Sequence, residues 1–449
     1  MFADDICQKA RLSRDKRFDG LFYVAVRSTG IYCRPICPAP AAKEHNVQYF
    51  EHAHQAILAG FRPCLRCRPD ASPGSYPWLG AQTTALRAKQ LIDQGQFSQG
   101  GAQYLSDRLG VSVSYLNQLF KRHYGIAPGQ YALFTQCQFA KQLLQQTQLK
   151  IADVAFASGF NSIRRFNDAF KKALQLTPSE IRAGADIQHN EIKLFLSFRP
   201  PYNWPAMQQF LAKRMISPME WGSDLSYGRH FRYGESKGLF EAQFDERKQG
   251  FWVTIKLDNW QHLQGVVANI RRVLDLDADL AVITSQLQRA VDAHLSLTQG
   301  LRLPGIWDPF EAGTRAILGQ QVSVKAARDL CTTLVEKLGE DGLYFPHASE
   351  VADNELAFFK MPQRRKQAIK DLAQHVVDHG ANNLDSWLEI KGIGPWTVDY
   401  AKMRGTSDPD IYLGGDLGVK KALAGTEHFD PSLAAPFRSY LTFQLWQQL

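Results

Sequence analysis

The sequence predicts a multidomain α+β chain: a small α/β domain closed by four cysteines, an all-α domain with a doubled helix-turn-helix, and an α+β subdomain that passes into helical helix-hairpin-helix subdomains. Three observations carry this prediction. Four of the seven cysteines fall in two close pairs, Cys33/Cys37 and Cys64/Cys67. Short apolar helical faces separated by a glycine-bearing turn occur twice between Ala102 and Phe170. Strand-like alternation beyond Ile192 gives way, from Gly305 on, to helical spacing that holds to the C-terminus. At 449 residues the chain has room for about three domains of roughly 150 residues each.

With 45% hydrophobic and 21% charged residues the composition is that of a globular protein, which excludes large-scale disorder. The net charge of +8 is uneven. Residues 1–185 hold 23 Lys and Arg against 12 Asp and Glu, and the remainder holds 29 against 32. A basic front suits a polyanion, although a solvated charged surface gives the same count. Seven cysteines do not make a disulfide scaffold at this length, and metal-type spacing points to a reducing compartment. MFADDICQKARL has early acids and no apolar core, so no secretory signal is expected. No run approaches the ~18 apolar residues of a membrane span. The expected location is cytoplasmic.

In residues 1–75, Leu21 to Arg27 is a buried-strand run, Ser28-Thr29-Gly30 turns the chain, and Ile31 to Cys37 follows. A helical segment near Ala53 to Ala59 precedes Gly60-Phe61-Arg62-Pro63-Cys64-Leu65-Arg66-Cys67. C-x3-C with C-x2-C supplies four thiolates, Cys33, Cys37, Cys64 and Cys67, for one tetrahedral Zn2+. Four thiolates close such a site, so His45, His52 and His54 are expected at the surface. FYVAVRSTGIYCRPIC with GFRPCLRCRP resembles the N-terminal domain of the Ada adaptive-response regulators over nearly the whole segment. The resemblance implies that Cys33 accepts a methyl group from a methylphosphotriester in DNA, once. A metal keeps the sulfur as thiolate, and methylation takes the centre from −2 to −1, which strengthens DNA binding. Arg34, Arg62, Arg66 and Arg68 are the expected phosphate contacts. A zinc that only stabilises the fold is the alternative.

Pro73 to Pro77 reads as a linker and Gln94 to Gly101 as a polar break. Ala102, Leu105 and Leu109 form an apolar face, Gly110-Val111-Ser112 turns, and Tyr115, Leu119 and Phe120 begin a second face. A long amphipathic segment runs from Pro128 toward Leu144. The pattern then repeats with Ile151, Val154 and Ala155, the turn Ser158-Gly159-Phe160, and Ile163, Phe166 and Phe170. An ordinary helical bundle would give the same spacing. IADVAFASGFNSIRRFNDAFKKALQLTPSEIR, however, resembles the second half of AraC-type DNA-binding domains. On that resemblance Ser114, Asn117, Gln118 and Lys121 belong to the first recognition helix, and Asn161, Arg164, Arg165 and Lys171 to the second, where they would reach adjacent major grooves.

After an expected linker at Gly184 to Asn190, Ile192 to Phe198 alternates as a strand, a helix starts in PPYNWPAMQQFLAKRM, and strands are expected near Leu239 to Phe244 and Phe251 to Leu257. Toward the C-terminus, Leu388 and Ile390 are followed by Gly392-Ile393-Gly394 and a helical run from Trp396 to Met403. This is a helix-hairpin-helix: glycines let backbone approach a ligand, and the free N–H groups of the second helix grip a phosphate. Asp416 in Leu413-Gly414-Gly415-Asp416-Leu417 stands before a lysine-bearing helix, where the bland reading is an N-cap.

Hairpin, aromatic residues and following Asp together resemble the helix-hairpin-helix DNA glycosylases, of the 3-methyladenine DNA glycosylase II type. The likeness extends through GLRLPGIWDPFEAGTRAILGQQVSV and RSYLTFQLW. It implies that Asp416 is the catalytic carboxylate and that Phe210, Trp396, Tyr400 and Trp446 line a base pocket with Gln320 at its edge. Core packing is the alternative for each aromatic. Gln321 stands where the family carries an apolar wedge, and Trp396 where strand-cutting relatives carry a lysine, so no imine is expected there. No catalytic metal is expected in this half. The family further allows a monovalent cation on the hairpin carbonyls.

The combined reading has domains at 1–75, 82–184, 190–300 and 301–449, joining a methylphosphotriester-sensing activator to a monofunctional alkylbase glycosylase. Its partners would be alkylated duplex and promoter DNA and RNA polymerase, with no membrane and a monomeric chain. The alternative is a regulator whose glycosylase-like half binds DNA without excising bases. No methylguanine methyltransferase motif of the Pro-Cys-His-Arg kind is present, so repair of O6-methylguanine is not expected.

Overall fold

The computed structural model describes residues 2–15, 18–70, 81–183, 192–291, 296–381, 383–424 and 429–448. The linkers expected at Pro73 to Pro77 and Gly184 to Asn190 lie outside these. Two compact units emerge, Met1–Leu91 with Ala102–Pro128, and Ile92–Gly101 with Gly129–Leu449. No helix among the described residues is long and apolar enough to cross a membrane.

The first unit opens with α1 (Asp4–Ser13), which the sequence reading did not identify and whose first turn carries Asp4 and Asp5 against the helix dipole. Strands β1 (Tyr23–Val26), β2 (Ile31–Cys33), β3 (Val47–Phe50) and β4 (Arg62–Pro63) form one sheet in the order β3-β1-β2-β4, with α2 (Ala53–Leu58) beside it. The run that begins at Ile31 is a strand only as far as Cys33, because Pro35 cannot continue a ladder. Alternation along β1 sends Val24 to a cluster with Cys7, Phe22 and Tyr49, and Tyr23 and Ala25 to a second with Tyr32 and Ala56. Both clusters are small. Helix α3 (Ala81–Asp93) precedes α4 (Gly101–Leu109) and α5 (Val113–Tyr124). The turn between these two has Gly110 at φ +64°, and Ser112 caps α5 by accepting from the Tyr115 N–H at 3.2 Å.

In the second unit the repeat consists of α6 (Pro128–Gln146), α7 (Ile151–Ala157), α8 (Ile163–Leu174) and α9 (Pro178–Ala183). Gly159 at φ +80° turns the chain, and Ser162 caps α8 through the Arg165 N–H. Strands β5 (Ile192–Ser197), β6 (Glu220–Ser223), β7 (Ser226–Tyr233), β8 (Ser236–Asp245) and β9 (Gly250–Leu257) form an antiparallel sheet ordered β5-β9-β8-β7-β6. The reading missed β6 and β7. SYGRHFRY carries too many polar residues to alternate visibly, because Arg229 is buried against acids.

Leu143, Phe160, Phe166 and Phe170 of the helical repeat share one continuous core with Leu194, Phe251 and Ile255 of the sheet. At the open edge of β5 two glutamines one helical turn apart on α6 stand in for a missing strand: Gln142 Nε2 donates to the Phe195 carbonyl at 3.1 Å, and the Phe195 N–H donates to Gln146 Oε1 at 2.9 Å. An edge so covered cannot template pairing with another chain. Each replaced bond contributes about 1 kcal/mol net, more if the orphaned group stays dry. The double variant Gln142→Ala/Gln146→Ala should therefore speed amide exchange over residues 192–197 by roughly tenfold or more. Unchanged protection there would show that the glutamines are ornamental.

Helices α10 (Trp204–Ala212), α11 (Leu263–Val273) and α12 (Leu280–Leu287) lead into the expected helical region: α13 (Pro309–Leu318), α14 (Val324–Leu338), α15 (Ala348–Ala352), α16 (Gln363–His379), α17 (Pro395–Gly405), α18 (Leu417–Ala422) and α19 (Arg438–Trp446). A buried ionic cluster ties α13 to the sheet. Arg229 Nη2 meets Glu311 at 2.8 Å, and Arg315 Nη2 meets Glu220 at 2.9 Å and Glu311 at 2.6 Å. Burial pushes the Glu220 carboxyl up, but Arg315 and Arg229 outweigh it and hold it below the usual range. This frame forms one side of a cavity.

Candidate functional site

The hairpin enters from Leu384–Glu389, a 3-10 turn where a short helix was expected, and crosses Gly392 at φ +94° into α17. Ile393 is buried against α16, which anchors the hairpin. A Cβ on Gly394 would meet nothing within 4 Å. Its bareness serves nothing inside the chain, and it leaves the first N–H groups of α17 open to close approach.

Asp416 caps α18, as the bland reading had it, and does more. Oδ1 accepts from the N–H groups of Gly418 at 2.8 Å and Val419 at 3.2 Å and from Trp446 Nε1 at 2.9 Å, while Oδ2 accepts from Trp396 Nε1 at 3.1 Å. One carboxylate thereby orients two indoles from α17 and α19. Trp396 stacks with Tyr400 at 5.4 Å between centroids, Tyr400 lies 6.3 Å from Trp446, and Trp446 is stacked over Phe210 at 6.4 Å. All five residues line one cavity of about 720 Å³. That volume admits a purine base.

Gln320 does not line the cavity itself. It is half-buried and donates to Thr397 Oγ1 at 3.3 Å, while the cavity wall from this turn is made by Gly319, Val322, Ser323 and Val324. Its amide is drawn to α17 by a hydroxyl that the linear sequence does not place nearby.

Two wall residues were overlooked. The Arg214 guanidinium lies over the Phe210 ring at 3.7 Å, and that of Arg404 lies 4.9 Å from the same ring and donates to the Tyr400 hydroxyl at 3.3 Å. Burial pushes Arg214 down to about 10 and lowers Arg404 as well. Both stand four residues after an aromatic, Phe210 and Tyr400, which is a helical-face signal that could have found them. Their presence changes the reading of Phe210, one face of which is already occupied by a cation. Arg404 also lies 5.7 Å over the Tyr400 ring, so among the described residues the two indoles are the pocket rings with no cation over them.

In the first unit, Cys33 ends β2, Cys37 follows its turn, and Cys64 and Cys67 lie past β4, which pairs parallel with β2. The Cys64 N–H donates to the Tyr32 carbonyl at 2.9 Å, and this bond brings the two knuckles together. The four Sγ atoms lie within 4.8 Å of one another, and no other such group occurs among the described residues. Four soft donors at this separation fit tetrahedral Zn2+, whose Zn–S bonds of about 2.3 Å put sulfurs roughly 3.8 Å apart. Cys33 is half-buried.

Arg34 is not the surface phosphate contact expected. It is buried, ion-paired with Asp19, donates to the Cys67 carbonyl at 3.2 Å, and its backbone N–H points at Cys67 Sγ at 3.4 Å. It braces the thiolate loop. Arg62, Arg66 and Arg68 are exposed. His52 and His54 stack on each other at 5.3 Å, apart from the sulfur group.

On α5, Ser114, Gln118 and Lys121 are exposed, and Asn117 is turned back to the Val113 carbonyl at 3.0 Å. Arg164, Arg165 and Lys171 on α8 and the preceding Asn161 are all exposed. Tyr115 and Ile163, placed on the apolar faces, are 43% and 41% exposed at the starts of these helices.

Family models match residues 6–70 as the metal binding domain of Ada, residues 105–184 as a helix-turn-helix domain, and residues 193–308 as the AlkA N-terminal domain. The chain is 34% identical over 99% of its length, and 96% of the relative's, to a Mycobacterium tuberculosis protein, "Probable bifunctional transcriptional activator/DNA repair enzyme AlkA". It is 29% identical over 56% of its length to DNA-3-methyladenine glycosylase 2 of Escherichia coli, covering 95% of that protein. Among solved structures, the methylated N-Ada/DNA complex is 35% identical over 30% of this chain and 98% of its own, with a TM-score of 0.25.

Proposed function

Since this chain belongs to the family of bifunctional transcriptional activators and DNA repair enzymes in which Ada-type metal-binding and helix-turn-helix modules precede an AlkA-type glycosylase, we propose that it excises alkylated purines from duplex DNA and takes a methyl group onto Cys33 from a phosphotriester. The single observation that carries the excision reading is Asp416 in the wall of an aromatic cavity, with both indole N–H groups donating to its carboxylate.

An alkylated nucleotide turned out of the duplex would stack on the indoles of Trp396 and Trp446, electron-rich faces that favour a cationic base. Alkylation weakens the glycosidic bond, and the base departs neutral. Charge develops on the sugar, where Asp416 stabilises it and directs the attacking water. A unit charge about 4 Å away at an effective dielectric constant of 20 is worth roughly 4 kcal/mol, close to a thousandfold in rate. The bare Gly394 turn and the first N–H groups of α17 would hold a phosphate next to the flipped nucleotide.

In the front half, Cys33, Cys37, Cys64 and Cys67 would hold zinc, which supplies the positive charge that keeps clustered sulfurs deprotonated. The Cys33 sulfur attacks the methyl carbon, the C–O bond breaks, and the phosphodiester leaves with the negative charge. A stable thioether remains. The sulfur cluster has then lost one negative charge beside DNA, and the exposed Arg62, Arg66 and Arg68 act with less opposition.

The test is mass spectrometry of protein and small molecules after incubation with methylated duplex DNA. Free methylpurine and a protein heavier by one methyl group at Cys33 are expected. The strand should stay intact at the abasic site, even though Lys213 and Lys421 line the cavity wall. DNA binding with no released base would leave the regulator reading instead, and a cut strand would make a lysine the nucleophile.

A further inference from the structure

We propose that Gln321 reads the base left unpaired on the opposite strand, so that occupancy of the site depends on what the damaged nucleotide was paired with. This rests on the excision reading, since only an extruded nucleotide leaves a widowed partner. Gln321 sits in the turn between α13 and α14, next to Val322 of the cavity wall and two residues after Gly319, which also lines it. Its φ is +59°, a left-handed backbone that glycine and asparagine adopt readily and glutamine does not. Strain of this kind persists where the surroundings impose it, and it gathers at sites that do work.

The side chain so presented is exposed, and its amide makes no hydrogen bond with the described residues. Its neighbour Gln320, by contrast, is tied to Thr397. The apolar role at the mouth of the cavity has other holders: Leu417, next to Asp416, is 67% exposed and Val322 38% exposed, and both line the wall. Apolar side chains of this kind fill a gap in a base stack. With that role covered, a carboxamide on the same lip offers a donor and an acceptor side by side, the pattern that matches a Watson–Crick edge two bonds at a time. A pyrimidine leaves room for the amide to reach it. A purine fills more of the gap itself.

The probe is a duplex carrying a tetrahydrofuran abasic analogue opposite thymine or opposite its shape-matched isostere 2,4-difluorotoluene, which forms no strong hydrogen bonds. The full chain should bind the thymine duplex about tenfold more tightly, the worth of one to two net hydrogen bonds, and Gln321→Leu should bind the two equally. Equal affinity in the unaltered protein, or a thymine preference that survives in Gln321→Leu, overturns the assignment. Release of free base from an alkylated duplex is scored in parallel. No release alongside a Gln321-dependent thymine preference removes the excision reading and keeps the contact, whereas release without that preference does the reverse.

Discussion

Asp416→Asn is expected to slow release of methylated purine by about a thousandfold, the rate equivalent of losing one half-buried negative charge near the developing cation. The substitution does more than remove charge. If the new amide keeps its oxygen on Gly418, Val419 and Trp446, its nitrogen must face Trp396 Nε1, and two donors then oppose each other at the 3.1 Å now spanned by a hydrogen bond. Some of the loss will therefore come from a displaced indole. The pair Trp396→Phe and Trp396→Phe/Asp416→Asn separates the effects, because phenylalanine has no N–H to oppose. If the carboxylate acts by charge, the double variant remains at least a hundredfold below Trp396→Phe in single-turnover base release. Rates within fivefold of each other would reduce Asp416 to a cap that positions tryptophans.

Stripping the metal should unfold the front domain and abolish methyl transfer while base release continues. Residues 18–70, with Cys7 and Ala10 of α1, offer two small clusters of buried apolar residues, on the two faces of a four-stranded sheet whose last strand is two residues long. A core of that size does not outweigh the ordering entropy of some fifty residues without a staple. Structural zinc contributes on the order of 10 kcal/mol or more to such domains. Chelation, or Cys64→Ser, should therefore erase hydrogen-exchange protection over β1 and β2. Cys33→Ala should abolish the added methyl mass with a milder loss of protection, since three thiolates remain. Full protection after chelation would mean that the four thiols lie close for another reason.

Much of the site was legible because its signals are local. Four cysteines at short spacing need one close approach, made by β2 pairing with β4, to become a metal site. The hairpin glycines mark a turn whatever surrounds them, and Asp before a helix is a cap in any fold. Arg34 was misread because it flanks a cysteine just as the exposed Arg62, Arg66 and Arg68 do, whereas its partner, Asp19, comes from a different loop. Arg214 and Arg404 escaped notice because a basic residue at the end of a helix or just past it is ordinarily a solvated one.

What the sequence determined by itself was the set of tools and their order along the chain: paired thiols, two helix-turn-helix repeats, a glycine hairpin and an Asp at a helix cap. Spacing and turn chemistry suffice for these, since each acts over a few residues. The tertiary structure alone decided which charges are hidden and which faces are filled: Arg34 against Asp19, Arg214 against Phe210, Gln320 against Thr397, and Gln142 and Gln146 against the edge of β5. These are desolvated contacts between distant segments. Their sign and strength depend on the removal of water, which takes place only when the chain has closed around them.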